Sequence, residues 1–358
     1  MITFHSPFAS QPLTERFIER VGNSFMKCAA TNIQGFRSTN EDAHDISLSL
    51  HTTKFNPPIA YMGVFDGHSG PMASHFLKTE LRVRLAQLKD PMNHEELYKC
   101  IMSCDADFLK KEKQIRQQGS TLCFILIQPS LSPFLTLFPT LLPPENTTNI
   151  QNSNTTPIIP YRMTIANVGD SRAIVLDAQG NLLFATIDHK PEMPLESKRI
   201  EHAGGFVLNN RVDQILSLSR AIGDASFKEN SKLKPEEQKV IALPDLIDLP
   251  VYTGCSILLF CDGLVEQLTN EKIALYVKQQ IKESKEKEKE MDPGMICSEL
   301  INLALLSGSR DNISVLMMHL QDGTNYTTKI EQVTTNPLLL NIHKSTKKRS
   351  KSIKKTIK

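Results

Sequence analysis

Residues 161–186 constrain the fold most tightly. Two apolar runs, Arg162–Val168 and Arg172–Leu176, are separated only by Gly169-Asp170-Ser171. A second turn, Asp177–Asn181, leads to a third run, Leu182–Thr186. Links this short cannot house the crossover that parallel neighbours require, so the spacing predicts an antiparallel meander. Ile59–Phe65, a run beginning at Thr121, Ser256–Cys261 and Ile313–Leu320 read as further buried strands. Helical spacing of apolar residues recurs from Ala73 to Leu88 and from Leu97 to Phe108. Two more helices are predicted near Glu271–Lys282 and Pro293–Leu306. Helices mixed with antiparallel strands give an α+β class, with sheets packed on each other and helices outside.

The chain has 358 residues, 40% of them hydrophobic and 22% charged, a globular balance that suits one large domain or two ordinary ones. No apolar run is long enough to span a bilayer, so no transmembrane segment is expected. Seven scattered cysteines, with no C-x-x-C pair, point to reduced thiols in a cytoplasmic or nuclear setting rather than to a disulfide framework or a zinc site. The last fifteen residues, KSTKKRSKSIKKTIK, carry eight Lys or Arg and no acid, so a net charge of +2 leaves the rest at −6. That tail reads as a disordered end, an import signal or an arm for anionic surfaces, and the acidic body argues against an obligate nucleic-acid partner. Residues 1–27 read as a lead-in with a short amphipathic helix near Leu13 to Val21. Residues 28–320 read as the domain, 129–160 as a Pro-rich insertion and 321–358 as the basic tail. The run at 278–290 reads as a solvated helix end. A monomer is expected.

The acids carry the chemical signal. Asp66 ends the strand in "GVFDGHSG", Asp262 ends "SILLFCDG", Asp311 precedes "ISVLMM", Asp170 sits in "NVGDSR", and Glu41-Asp42 follow "GFRSTN". One Asp after a strand is usually a turn residue. Several can converge at one sheet edge, where they repel unless cations compensate them. An all-oxygen set favours Mg²⁺ or Mn²⁺ over zinc. Two such ions can activate a water and clamp a phosphoryl group. Arg37 is a candidate for the remaining phosphate oxygens, and His68 for a proton to the leaving alcohol.

The sequence resembles the metal-dependent serine/threonine protein phosphatases of the type 2C family. The matching segments are "QGFRSTNEDAH", "GVFDGHSG", "GSTLCF", "ANVGDSRAIV", "DHKPEMPLESKRIEHAGGFV", "LSLSRAIGD", "LLFCDGL" and "SRDNISV", in the family's order. The resemblance implies a central sandwich of two antiparallel β-sheets with helices on both faces. It also implies hydrolysis of phosphoserine and phosphothreonine in protein substrates, with two Mg²⁺ or Mn²⁺ ions and in some members a third. By the same resemblance Asp66 matches the carboxylate bridging both metals, and Gly67 the residue offering its backbone carbonyl to the second. Asp262 and Asp311 match the remaining ligands of the first. Glu41 and Asp42 match acids that hold metal-bound water, Arg37 the phosphate-binding arginine, His68 the general acid, and Asp170 a ligand of the third site. Where the family continues "DG" with Trp and Asp, this chain has Asp262-Gly263-Leu264-Val265-Glu266 and no Trp anywhere, which touches the third site most. Ser69 replaces a common Gly or Ala and is expected to cap the following helix. Ser120-Thr121 read as a strand start, His44 and His189 as structural, and "SLSRAIGD" as backbone and flap geometry. Two rivals stand beside this reading: a catalytically silent family member, whose mark would be lost metal carboxylates, and a nucleic-acid binder acting through the tail.

Overall fold

The computed structural model describes residues 8–50, 56–111, 116–130, 158–326 and 329–334. Residues 131–157 of the insertion at 129–160 and residues 335–358 of the tail at 321–358 lie outside them. Two sheets form the centre. A five-stranded sheet runs in the order β16 (Asp245–Tyr252), β10 (Pro160–Val168), β9 (Leu122–Pro129), β6 (Ala60–Phe65), β5 (Ala43–Ser47). A seven-stranded sheet runs β12 (Leu182–Ala185), β11 (Arg172–Leu176), β17 (Ser256–Phe260), β18 (Ile313–His319), β3 (Lys27–Ile33), β2 (Glu15–Gly22), β19 (Lys329–Thr334). Neighbouring strands in both sheets pair antiparallel. Three ribbons complete the strands: β1 (Phe8–Leu13) with β4 (Gly35–Arg37), β13 (Val207–Leu208) with β14 (Arg211–Val212), and β15 (Ile222–Gly223) with β8 (Gly119–Ser120) and β7 (Gly67–His68).

The two sheets face each other across a core that includes Met62, Val64, Ile125, Ile165, Val175, Ile257 and Leu316. On the outer face of the five-stranded sheet, helices α1 (Met72–Gln87) and α2 (His94–Lys111) bury Leu77, Leu81, Leu97 and Ile101. The outer face of the other sheet is covered by α5 (Asn270–Glu286) and α6 (Pro293–Ser307) through Ile273, Val277, Ile296 and Leu300. Strands apolar on both faces follow from this layering: β6, β17 and β18 are buried at every position. Each fully buried Leu or Ile contributes about 1.5–3 kcal/mol relative to exposure. A smaller cluster, with Ile200 of α3 (Pro194–His202), Val212, Leu218 and Val240, forms a separate flap. The short α4 (Asp262–Val265) follows β17 directly. The charged run at 278–290 ends α5 and is largely exposed from Lys285 onward. Among the described residues no helix is long and apolar enough to cross a membrane.

Three expectations are corrected. Gly169-Asp170-Ser171 is not a hairpin turn. β10 pairs with β9 and β16, whereas β11 pairs with β12 and β17, so this link carries the chain from one sheet to the other. Only the second turn, at 177–181, closes a hairpin. The predicted helix near Leu13–Val21 is instead β2, whose exposure alternates with period two. Its inward positions include Arg16 and Arg20, four apart, and this polar inner face disguised the strand. Arg16 donates to Asn302 Oδ1 at 2.8 Å, and Arg20 pairs with Asp292 at 3.0 Å and Glu331 at 2.7 Å. The seven-stranded sheet thus reaches β2 and β19, beyond both ends of the 28–320 span. Ser69 does not cap α1. It takes a left-handed φ of 60° in the preceding turn, and Pro71 holds the cap position without a side-chain hydrogen bond.

Candidate active site

The register of the sheets brings the sequence's acids to one end of the sandwich. Phe65 lies opposite Ala43, so Asp66 and Asp42 emerge side by side from β6 and β5. Phe260 lies opposite both Val315 and Arg172, so Asp262, Asp311 and the 169–171 link share that edge in the other sheet. The link between sheets is what delivers Asp170 there.

Backbone contacts fix each acid. Asp66 N–H donates to Thr121 Oγ1 at 3.0 Å, and Thr121 N–H donates back to the Asp66 carbonyl at 2.9 Å. The Thr121 hydroxyl is itself 2.6 Å from Ser171 Oγ, which ties the two sheets under the site. Thr121 therefore does more than start a strand. Asn312 organises the other side: its amide donates to the Gln34 and Thr39 carbonyls at 2.8 and 2.9 Å, while its oxygen accepts from Glu41 N–H at 2.9 Å. Glu41 Oε1 accepts from Thr39 Oγ1 and Oε2 from Gly70 N–H, both at 3.0 Å. Gly67 is forced by proximity, since a Cβ there would sit 2.4 Å from the Glu41 carbonyl oxygen and 2.9 Å from Ser74 Oγ.

The electrostatics are unfavourable without cations. Asp42 is 5% exposed; Ser314 Oγ donates to its Oδ2 at 2.6 Å, while its Oδ1 is buried with no hydrogen-bond partner. Burial pushes the Asp42 carboxyl up to about 6, with the Asp311 charge adding to the shift. Asp66 is held well above the usual carboxylate range by desolvation and then by Asp42, Asp262, Asp170 and Asp311. Asp262 is raised likewise by desolvation, Asp170 and Asp311. Glu266, on the surface beside them, is raised by desolvation and Asp311. Two cations answer this charge: Arg37 pairs with Asp311, and Lys190 Nζ lies 2.5 Å from Asp170.

Ligand atoms of Asp42, Asp66 and Cys261 all lie within 4.8 Å of one another. Cys261 brings sulfur to an otherwise oxygen set. Its thiol is pushed far up by burial and by Asp42 and Asp66, and its sulfur accepts from Ser314 N–H at 3.2 Å. Hard divalent ions prefer oxygen to sulfur, so the carboxylates are the donors that such ions would take. The unpartnered Asp42 oxygen and the raised acids fit such ions.

His68 projects from the ribbon β7 beside this cluster, and its Nε2 is 2.9 and 2.8 Å from the two oxygens of Asp224. Burial works against the imidazolium, but Asp224 outweighs it and the net shift is upward. His189 is structural, as expected: it accepts Gly169 N–H on Nδ1 at 3.0 Å, and its Nε2 is 3.2 Å from Asp245. Sequence reasoning missed Asp224, Lys190, Asn312, Ser314 and Cys261. The acid of "RAIGD" and the lysine of "DHKP" carried a signal, since both are charged residues beside predicted site segments; the others carried none.

A family model described as Protein phosphatase 2C matches residues 26–132 and 149–313. "Probable protein phosphatase 2C 5" of Paramecium tetraurelia is 32% identical over 288 residues, covering 79% of this chain and 89% of its own length. "Protein phosphatase 1B" of Mus musculus is 28% identical over 314 residues, covering 87% of this chain and 74% of its own. Among solved structures, a phosphatase from a pathogenic strain of Toxoplasma gondii has a TM-score of 0.70 at 27% identity, covering 89% of this chain and 99% of that one. The family match covers strands of both sheets and every acid at their shared edge, and the Paramecium relative extends over more than three quarters of the sequence. This chain therefore belongs to the protein phosphatase 2C family of metal-dependent serine/threonine phosphatases.

Proposed function

We propose that the chain hydrolyses phosphoserine and phosphothreonine in proteins at the acid-lined end of its sandwich, with two Mg²⁺ or Mn²⁺ ions held there. The observation that carries the mechanism is the Asp42–Asp66 pair, whose ligand atoms converge while a buried Asp42 oxygen has no protein partner. Asp66, Asp262, Asp311 and the Gly67 carbonyl would hold the ions. Glu41 and Asp42 would line the site, and Asp170 with Glu266 would serve a third, weaker position. When bound, the ions supply water activation and neutralise phosphoryl charge.

The chain's own residues do the rest. Arg37 is 46% exposed and already faces the acids through Asp311, so its guanidinium can take phosphoryl oxygens as a fork. His68 protonates the departing serine or threonine oxygen. Thr121, Ser171 and Asn312 hold the backbone beneath these groups. The silent-member reading loses ground because Asp66, Asp262 and Asp311 are all present. The two sheets, from β2 to β19, act as one phosphatase domain, and the basic tail beyond them is an accessory arm.

The test is hydrolysis of a phosphothreonine peptide with Mn²⁺ or Mg²⁺. Activity is expected with either ion, none in EDTA and almost none in Asp262→Ala. Equal rates in EDTA would remove the metal from the mechanism. For His68→Gln, turnover should fall while Mn²⁺ affinity holds; collapse of metal binding instead would mean His68 has been given the wrong role.

A further inference from the structure

Asp224 lies in a segment that its sequence context marks as flap geometry, yet its carboxylate is 1% exposed and both of its oxygens face one imidazole nitrogen. From this we infer that Asp224 is the positioning residue of the general acid: it fixes the ring of His68 and its tautomer, so that Nδ1 is the nitrogen that delivers a proton to the leaving oxygen. This rests on the proposed role of His68.

A three-stranded ribbon builds the contact. β8 lies between β7 and β15, with Gly67 opposite Ser120, His68 opposite Gly119 and Gly119 opposite Gly223. His68 and Asp224 therefore reach toward each other across Gly119. A Cβ on Gly119 would sit 2.1 Å from Asp224 Oδ2 and 2.6 Å from His68 Nε2, so a side chain there would occupy the space in which the pair meets. Asp224 also adopts a left-handed backbone, φ 55°, which a non-glycine residue enters only against steric resistance. Its N–H donates to the Gln118 carbonyl at 2.9 Å and its carbonyl accepts from Phe227 N–H at 3.0 Å, which pins that conformation. The preceding Gly223 N–H donates to Asp105 Oδ1 at 2.8 Å, and Lys228 Nζ closes the same carboxylate at 2.8 Å. A strained, buried and doubly anchored acid is more than a loop needs. It is what a fixed imidazole needs.

The chemistry follows from the contact. An ionised carboxylate only accepts hydrogen bonds, so Nε2 carries a hydrogen toward Asp224. The transferable proton then sits on Nδ1. In hydrolysis the water oxygen forms the new bond to phosphorus and the ester P–O bond breaks with its electron pair on the serine or threonine oxygen. That oxygen takes the Nδ1 proton. Of the two water protons, one returns to the imidazole and the other stays with the inorganic phosphate. A carboxylate that orients such a ring through its other nitrogen is a general device of acid–base catalysis.

The experiment compares two substrates in the full-length protein with Mn²⁺. A phosphothreonine peptide leaves a basic alkoxide that needs a proton; p-nitrophenyl phosphate leaves a stable phenolate that does not. For Asp224→Asn the ratio of kcat on the peptide to kcat on the aryl phosphate should fall about 100-fold, the scale of general-acid assistance. His68→Gln should lower the ratio by a similar factor, and the double variant should be no worse than His68→Gln alone, because one function has been removed twice. If His68→Gln is selective but Asp224→Asn lowers both substrates equally, or adds its own factor in the double variant, the positioning role is overturned and the general acid survives. If His68→Gln is itself unselective, the reading beneath the inference fails and the inference with it. A readout on the unaltered protein guards against a variant that does not fold: long-range ¹H–¹⁵N spectra of His68 should show Nε2 protonated whenever the ring is neutral. A neutral ring protonated on Nδ1 would contradict the assignment.

Discussion

Asp42 and Glu196 are both buried carboxylates, 5% and 3% exposed, and the protein treats them in opposite ways. Glu196 in α3 meets Arg199 at 2.6 Å, Arg220 at 2.7 Å and the Ser219 hydroxyl at 2.6 Å. Burial alone would push its carboxyl up, but Arg220 and Arg199 bring it down to about 2. Asp42 has one hydroxyl, a bare oxygen and acidic neighbours, and is pushed up to about 6. The flap cluster is complete in the protein alone. The acid cluster at the end of the sheets is not, and cations from solution would supply the missing partners. Buried charge that is satisfied marks structure; buried charge left short of partners marks a site.

The contrast can be broken at either end. The largest effect is expected from Asp66→Asn, which should lower kcat on a phosphothreonine peptide by at least about 1,000-fold, since metal-assisted charge stabilisation is worth several kcal/mol. In EDTA the same variant should unfold at higher urea than the parent by about 1 kcal/mol, because it removes repulsion. A loss of stability there would mean that the acids are not in conflict. Glu196→Gln should do the reverse and cost about 3 kcal/mol in urea unfolding, since it removes the charge that the largely buried guanidiniums of Arg199 and Arg220 share. Less than about 1 kcal/mol would show that the flap pairs are solvated.

The pH dependence separates the two clusters. A raised acid binds protons more tightly in the folded state, so it favours folding at low pH and opposes it as pH rises past the unfolded value, about 4, through about 6 for Asp42. A depressed acid contributes above its unfolded value and loses that contribution as pH falls through about 2 for Glu196. Between pH 5 and 7.5 the Glu196 contribution is constant. His319, lowered to about 4 by burial, adds stability over the same window. The Asp42 effect is therefore read against Asp42→Asn, in which the His319 contribution cancels. Relative to that variant, the metal-free protein should lose on the order of 1–2 kcal/mol from pH 5 to 7.5. A stability difference between the parent and Asp42→Asn that does not change from pH 5 to 7.5 in EDTA would contradict this. The smallest effect belongs to Ser314→Ala, which removes the hydroxyl on Asp42 and should cost about 1 kcal/mol in urea unfolding, with Mn²⁺ present in both measurements. No change would show that the Ser314 bond contributes nothing to holding Asp42.

Much of this was legible in the sequence because the strands are buried on both faces. Ile59–Phe65, Ser256–Cys261 and Ile313–Leu320 are continuous apolar runs, and an acid at the end of such a run stands out. Asp66, Asp262 and Asp311 were found in this way. Two features hid what was missed. A three-residue link reads as a hairpin whether it joins neighbours in one sheet or passes between two sheets, and only tertiary pairing tells them apart at Gly169–Ser171. In β2 the inward positions are Arg16, Ile18 and Arg20, so a period-two apolar pattern never forms. The contact between Asp224 and His68 was hidden for another reason. The two lie 156 residues apart, and nothing local announces that Gly119 leaves room for them to meet.

The central claim is that the acids at the end of the sheets are left short of partners in order to hold cations. Calorimetric titration of Mn²⁺ into the metal-free protein tests it most directly, run in two buffers of different ionisation heat. Binding should be saturable and should release protons at pH 6, because carboxyls raised by their neighbours must give them up. It should be lost in Asp66→Asn and retained in Glu196→Gln. Absence of binding heat, or equal binding in Asp66→Asn, would contradict the account.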